Sequence, residues 1–88
     1  MDILKTKIPK IRKIEPMDAL ELLVIYEDNQ KKKFDVAPYL KMRPDIFAPL
    51  SDEKLFKRVR TDILGRALVW NKNIDISGYD VWEAGVTV

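Results

Sequence analysis

The chain carries 14 carboxylates and 16 cationic side chains but no histidine and no cysteine. This removes the side chain whose ordinary pKa lies nearest neutrality, and also the thiolate that serves as nucleophile or soft metal ligand. Acid–base chemistry would therefore fall to a pair of carboxylates, and Asp62 with Asp75 is the pair to weigh. Arg60 and Arg66 flank Asp62, and ion pairing competes with any such use. Trp70 and Asp75 can flank a pocket; their plainer roles are a core or rim aromatic and a carboxylate capping a turn or helix end. Asn71, Asn73 and Asp75 alternate and offer oxygen ligands, but no run of residues matches a calcium loop. The glycines, at 65, 78 and 85, build no phosphate-cradling motif. We expect no catalytic residue, no metal and no cofactor.

The basic residues are the stronger binding candidates. Lys54, Lys57, Arg58 and Arg60 cluster in sequence, and Lys31 and Lys33 can extend the patch. Arg58 and Arg60 would share a strand face, and Lys54 and Lys57 would lie one helical turn apart. Charge alternates along the chain: residues 1–13 carry +4, 14–30 carry −5, 31–43 carry +4, 44–53 carry −3, 54–66 carry +4 and 67–88 carry −2. Such blocks suit antiparallel strands that lie beside strands of opposite sign. Asp35 is expected to form a cross-strand ion pair near Lys31 and Lys33. The alternative gathers the basic blocks into a nucleic-acid surface. Against it stand a net charge of only +2 and few aromatics among the basic residues.

These residues need elements to position them. Ile8 to Ile14 reads as an edge strand, with Pro9 tolerable there and Pro16 closing it. Leu20 to Glu27 is apolar on both parities and reads as a central strand covered on both faces. Asp28-Asn29-Gln30 is a turn, and Lys31 to Val36 returns as a strand with Lys32, Phe34 and Val36 on one face. Pro38, Pro44 and Pro49 punctuate an irregular apolar stretch that folds back as a lid. Ser51 is the expected N-cap of a helix over 52–57. Val59, Thr61 and Ile63 then give a strand with one apolar face, Gly65 turns the chain, and Ala67 to Trp70 and Ile74 to Ile76 are the last strands. Tyr79 to Ala84 forms a final helical turn, stopped by Gly85. The expected core is Leu22, Val24, Phe34, Val36, Leu55, Phe56, Val59, Val69 and Trp70.

Eighty-eight residues make a single domain over 1–88, with 1–7 as a polar arm. The class is α+β, with a small, mainly antiparallel sheet of four to six strands and one or two short helices. Leu22 to Tyr26 is the longest apolar run, far short of the ~20 residues that span a bilayer, and the start, MDILKTK, has no apolar stretch of signal-peptide length, so no leader is expected. We expect a cytoplasmic protein that engages no membrane.

The run Phe34-Asp35-Val36-Ala37-Pro38-Tyr39-Leu40, then Leu55-Phe56 with Val59, then Gly65 to Trp70, then Ile74-Asp75-Ile76, resembles the DUF2442 family of small bacterial domains. The similarity spans about Ile11 to Trp82, and its specificity lies in the order and spacing of the pieces. Two turns depart from the family pattern, Asp28-Asn29-Gln30 and Asn71-Lys72-Asn73. The resemblance implies a small α+β fold and no catalytic residues. Some members carry a helix-turn-helix extension, which this sequence is expected to lack; others pair with a second small protein in toxin–antitoxin style. The expectation is a non-enzymatic module that binds another small protein or itself, with nucleic-acid binding as the alternative. Trp82, Val86 and Val88, on an apolar tail beside a sheet edge, are the expected association surface, with Trp82 its anchor; the plainer alternative is that Trp82 packs onto its own sheet as part of a terminal helix.

Overall fold

The structure, a computed structural model, describes residues 8–88. The arm expected over 1–7 lies outside the described residues. Among the described residues, seven strands form two antiparallel sheets. In the first, β1 (Ile11–Pro16), β2 (Glu21–Tyr26), β3 (Lys31–Asp35) and β7 (Val86–Thr87) lie side by side in that order. The second holds β4 (Arg60–Thr61), β5 (Ala67–Asn71) and β6 (Ile74–Ser77). The helices are α1 (Ala37–Met42), α2 (Pro44–Phe47), α3 (Glu53–Phe56) and α4 (Gly78–Ala84), with a 3-10 turn over Ala48–Ser51. The expected α+β class with antiparallel pairing is the one that forms.

β2 is central, as its apolar residues on both parities require. Leu22, Val24 and Tyr26 are fully buried on one face, and Ile25 is buried on the other. It returns into β3 through a turn in which Asn29 takes φ +73°, a left-handed conformation that asparagine tolerates. β1 is an edge strand, but it starts at Ile11 and runs through Pro16 rather than over Ile8 to Ile14. Pro9 has no N–H to give a ladder, and the Ile11 N–H goes to the Gly65 carbonyl of the other sheet at 2.8 Å.

The stretch after β3 is not irregular. It forms α1, α2 and the 3-10 turn, and each has a proline in its first turn. There the missing N–H costs nothing and the fixed φ favours the helix. This stretch does fold back on the core: Phe47 and Leu50 are buried, and Tyr39 packs its ring between Phe34 and Phe47 at 5.8 and 5.3 Å. The N-cap of α3 is Asp52, not Ser51. Its carboxylate accepts the Lys54 N–H at 3.0 Å, while the Ser51 hydroxyl donates back to the Ala48 carbonyl. A carboxylate holds that position better because it also meets the positive end of the helix.

The strand expected from Val59 to Ile63 shrinks to Arg60–Thr61, because Asp62 turns the chain at once. Arg58 is therefore not on a strand face. β5 buries Leu68 and Trp70, so Val69 lies on the opposite, half-buried parity. Leu55 and Val59 are also half-buried and pack at the rim of the core. Gly85 stops α4 with φ −69°, extended rather than left-handed, and the chain continues into β7.

One core joins both sheets. Leu22, Val24 and Phe34 meet Leu68, Trp70 and Ile76 across it, and Val81 of α4 joins them. Trp70 stacks on Phe56 at 6.2 Å, and its indole N–H donates to the Phe56 carbonyl at 3.0 Å. Just past the paired ends of β5 and β6, the Gly78 N–H donates to the Arg66 carbonyl at 2.8 Å and extends that ladder by one bond. A Cβ at Gly78 would collide with that same oxygen, so only glycine fits the junction.

The alternating charge blocks do not pair across strands. Among the described residues the ion pairs are local: Lys13 with Glu15, Arg43 with Asp45 and Lys57 with Glu53. Asp35 does not pair with Lys31 or Lys33; its carboxylate accepts the Ala37 N–H at 3.0 Å and caps the start of α1.

Candidate interaction surface

The β4–β5 turn is built around Asp62. Its carboxylate accepts the Arg66 N–H at 2.7 Å, its carbonyl accepts the Gly65 N–H at 3.0 Å, and its own N–H donates to the Ala67 carbonyl at 3.2 Å. Gly65 takes φ +67° and closes the loop. Two aliphatic side chains ride on this pinned frame. Ile63 is 99% exposed and Leu64 58% exposed. Arg60 and Arg66, both exposed, flank the turn in sequence. Turn positions of this kind are ordinarily filled by Gly, Asn, Asp, Ser or Pro. An Ile-Leu pair here leaves its apolar surface in water, where the fold gains nothing from it.

At the other end of the β1–β2 hairpin lies a cleft of about 210 Å³. Met17, Leu20, Leu50 and Phe56 supply its apolar wall, and Asp18, Glu53 and Lys57 its exposed charged rim. The turn that forms one side holds two consecutive non-glycine residues in left-handed conformation, Ala19 at φ +60° and Leu20 at +62°. Each costs about 1–2 kcal/mol. The Met17 N–H to the Glu21 carbonyl, at 2.8 Å, and the Val36 N–H to the Leu20 carbonyl, at 2.9 Å, hold the turn in place.

The residues singled out from the sequence do not gather at one place. Lys31 and Lys33 lie exposed on β3, whose neighbours are β2, β7 and α4. Lys54 and Lys57 lie on and just after α3, which packs on the 3-10 turn, and Lys57 faces Glu53 at 3.7 Å. Arg58 follows in a turn, and Arg60 stands in β4 beside the Ile63 tip. Asp62 is committed to its turn. Asp75 is exposed in the middle of β6 opposite Val69 and caps no turn or helix; the Asn71 carboxamide oxygen caps the turn there, accepting the Asn73 and Ile74 N–H groups.

Trp82 packs on its own sheet. Its ring meets Tyr26 edge-on at 5.1 Å, and the Lys32 ammonium lies 3.9 Å from the ring centre while donating to the Trp82 carbonyl at 2.6 Å. Val86 and Val88 remain exposed, on and just beyond the short edge strand β7. Among the described residues no group of three His, Cys, Asp or Glu side chains is placed to hold a metal ion, and no helix is long and apolar enough to cross a membrane.

Two features were missed in the sequence. Ile63 reads there as an inward strand residue, and the signal against this is the Asp62–Gly65 spacing of a tight turn. The second is Tyr26, whose hydroxyl is buried without a hydrogen-bond partner among the described residues. Burial, with Asp28 nearby, pushes that hydroxyl up to about 12. Burial, with Asp80 a lesser cause, also raises Tyr39. No protein-family model matches the chain, and no curated protein or solved structure matches it significantly.

Proposed function

We propose that this protein is a non-enzymatic protein-interaction module that docks on a partner through the Ile63–Leu64 tip. The observation that carries this reading is an almost wholly exposed isoleucine on a turn pinned by three hydrogen bonds. A fixed apolar side chain loses little freedom on binding, so more of its burial energy appears as affinity. The flanking Arg60 and Arg66 favour a partner pocket with an acidic rim. The resemblance to the DUF2442 family supports placing the protein in a regulatory pair of toxin–antitoxin style, beside a second small protein. The absence of histidine and cysteine weighs against an enzyme.

The alternative is a nucleic-acid-binding domain. Arg58 and Arg60 favour it, being exposed and without an ion-pair partner among the described residues. Phosphate contacts of this kind weaken steeply with salt. Affinity capture from the native host, with the wild type and with Ile63→Ser/Leu64→Ser, tests both readings. The expected result is a protein partner that survives high salt and is lost with the double variant. Recovery of nucleic acid at low salt only, unchanged by the double variant, overturns the interaction reading in favour of the alternative.

A further inference from the structure

The tip and the cleft sit at opposite ends of one hairpin. Gly65, at the base of the tip, accepts the Ile11 N–H where β1 begins, and the cleft opens at Met17, just past the end of β1. Six strand residues separate them, a span of roughly 20 Å. One molecule therefore cannot place its own tip in its own cleft.

The two features are nevertheless complementary. The tip presents two branched aliphatic side chains on a turn flanked in sequence by exposed Arg60 and Arg66, beside a groove lined by Lys10, Glu27 and Asp62. The cleft presents an apolar wall beneath a rim of two exposed carboxylates, Asp18 and Glu53, and one exposed ammonium, Lys57, so the rim keeps a net negative charge. Glu53 is shared with Lys57 at 3.7 Å, but Asp18 has no ion-pair partner among the described residues. At about 210 Å³ the cleft is smaller than the ~300–1,000 Å³ of pockets that bury a drug-sized ligand. It suits one or two aliphatic side chains. Its strained turn keeps Met17 at the surface, 37% exposed, as part of the wall.

We propose that the occupant is a second copy of this chain, with the Ile63–Leu64 tip of one molecule seated in the Met17–Phe56 cleft of the next. This rests on the reading of the tip as a docking element and names its partner. The contact is heterologous: each molecule gives a tip and receives one, so association continues head to tail instead of closing as a two-fold dimer.

Sedimentation velocity from micromolar to millimolar concentration tests the proposal with three proteins. The wild type is expected to form species beyond the dimer as concentration rises, and 1 M salt weakens them by shortening the range of the charges. Ile63→Ser loses the tip and Met17→Glu closes the cleft; each alone is expected to stay monomeric, with association weakened at least about tenfold. An equimolar mixture of the two is expected to form dimers and go no further, because it retains one intact tip and one intact cleft per pair. Leu64→Ser and Asp18→Lys replace either variant that circular dichroism shows to be unfolded. A wild type that stays monomeric at millimolar concentration overturns the proposal, as does association that Ile63→Ser leaves unchanged or a mixture that fails to pair. If the wild type is monomeric yet still captures a foreign protein through the tip, this inference falls and the docking reading stands.

Discussion

Ala19 holds a conformation that its Cβ opposes, at φ +60°, and it is exposed, so its methyl group contributes no packing in return. Glycine there removes a cost of about 1–2 kcal/mol and adds back about 0.5–1 kcal/mol of unfolded-state freedom. Ala19→Gly is therefore expected to stabilise the protein by about 0.5–1 kcal/mol, read as a higher urea midpoint at unchanged slope. Tyr26 carries the opposite kind of strain, a buried hydroxyl with no partner among the described residues. Tyr26→Phe removes it, and stability at pH 7 is expected to hold or rise. The same residue sets an alkaline limit. Its folded pKa is about 12, raised by burial above the ordinary 10.0, so the folded state keeps a proton that the unfolded chain gives up. The contribution is complete below pH 10 and lost as pH climbs from 10 to 12. Denaturant midpoints over that range should fall more steeply for the wild type than for Tyr26→Phe; equal slopes would refute the assignment.

α3 is four residues long and far too short to be stable alone. Its place is set by Phe56, which is buried, stacks on Trp70 and offers its carbonyl to the indole N–H. Phe56→Ala is expected to cost about 3–5 kcal/mol, most of the stability of a small domain, measured by chemical denaturation. A loss under about 1 kcal/mol would mean that α3 is not anchored in the core. The central strand, the Asp28–Gln30 turn and the β5–β6 pair were legible in the sequence because each follows from local alternation and turn chemistry. The helices after Val36 were not: proline reads as a breaker from its effect on the preceding residue, yet in a first turn it favours the helix. The short β4 escaped for a different reason. Val59, Thr61 and Ile63 keep a period of two, but the Asp62 carboxylate captures a backbone N–H and ends the strand between them.

The two sheets share one core and are tied by the Ile11–Gly65 backbone hydrogen bond, so the whole domain is expected to unfold as a unit. With no histidine in the chain, its stability should stay flat between pH 5 and pH 8. Asp45 carries a shifted carboxyl, held below its ordinary value by a hydrogen bond from Arg43 and so already ionised throughout that window. A midpoint that moves sharply between pH 5 and pH 8 would contradict this. Ile63→Ser should leave the midpoint within about 0.5 kcal/mol of wild type, since that side chain touches almost nothing in the fold.

Composition and periodicity were enough for the α+β class, the central position of β2 and six of the fifteen buried apolar residues among the described residues, because burial demands apolar residues at fixed intervals and leaves that record in the chain. They could not place the candidate surface. Whether Ile63 points inward or out depends on where a turn begins, and a one-residue change in that boundary reverses the face of every residue after it. Trp82 posed the same problem at long range: an apolar tail does not show whether it covers its own sheet or another molecule's. Packing against Tyr26 and Lys32, 56 and 50 residues away in sequence, settled that. The tip and cleft come to opposite ends of the hairpin through the pairing of β1 with β2 and the tie from Ile11 to Gly65, contacts between distant residues that no local pattern encodes.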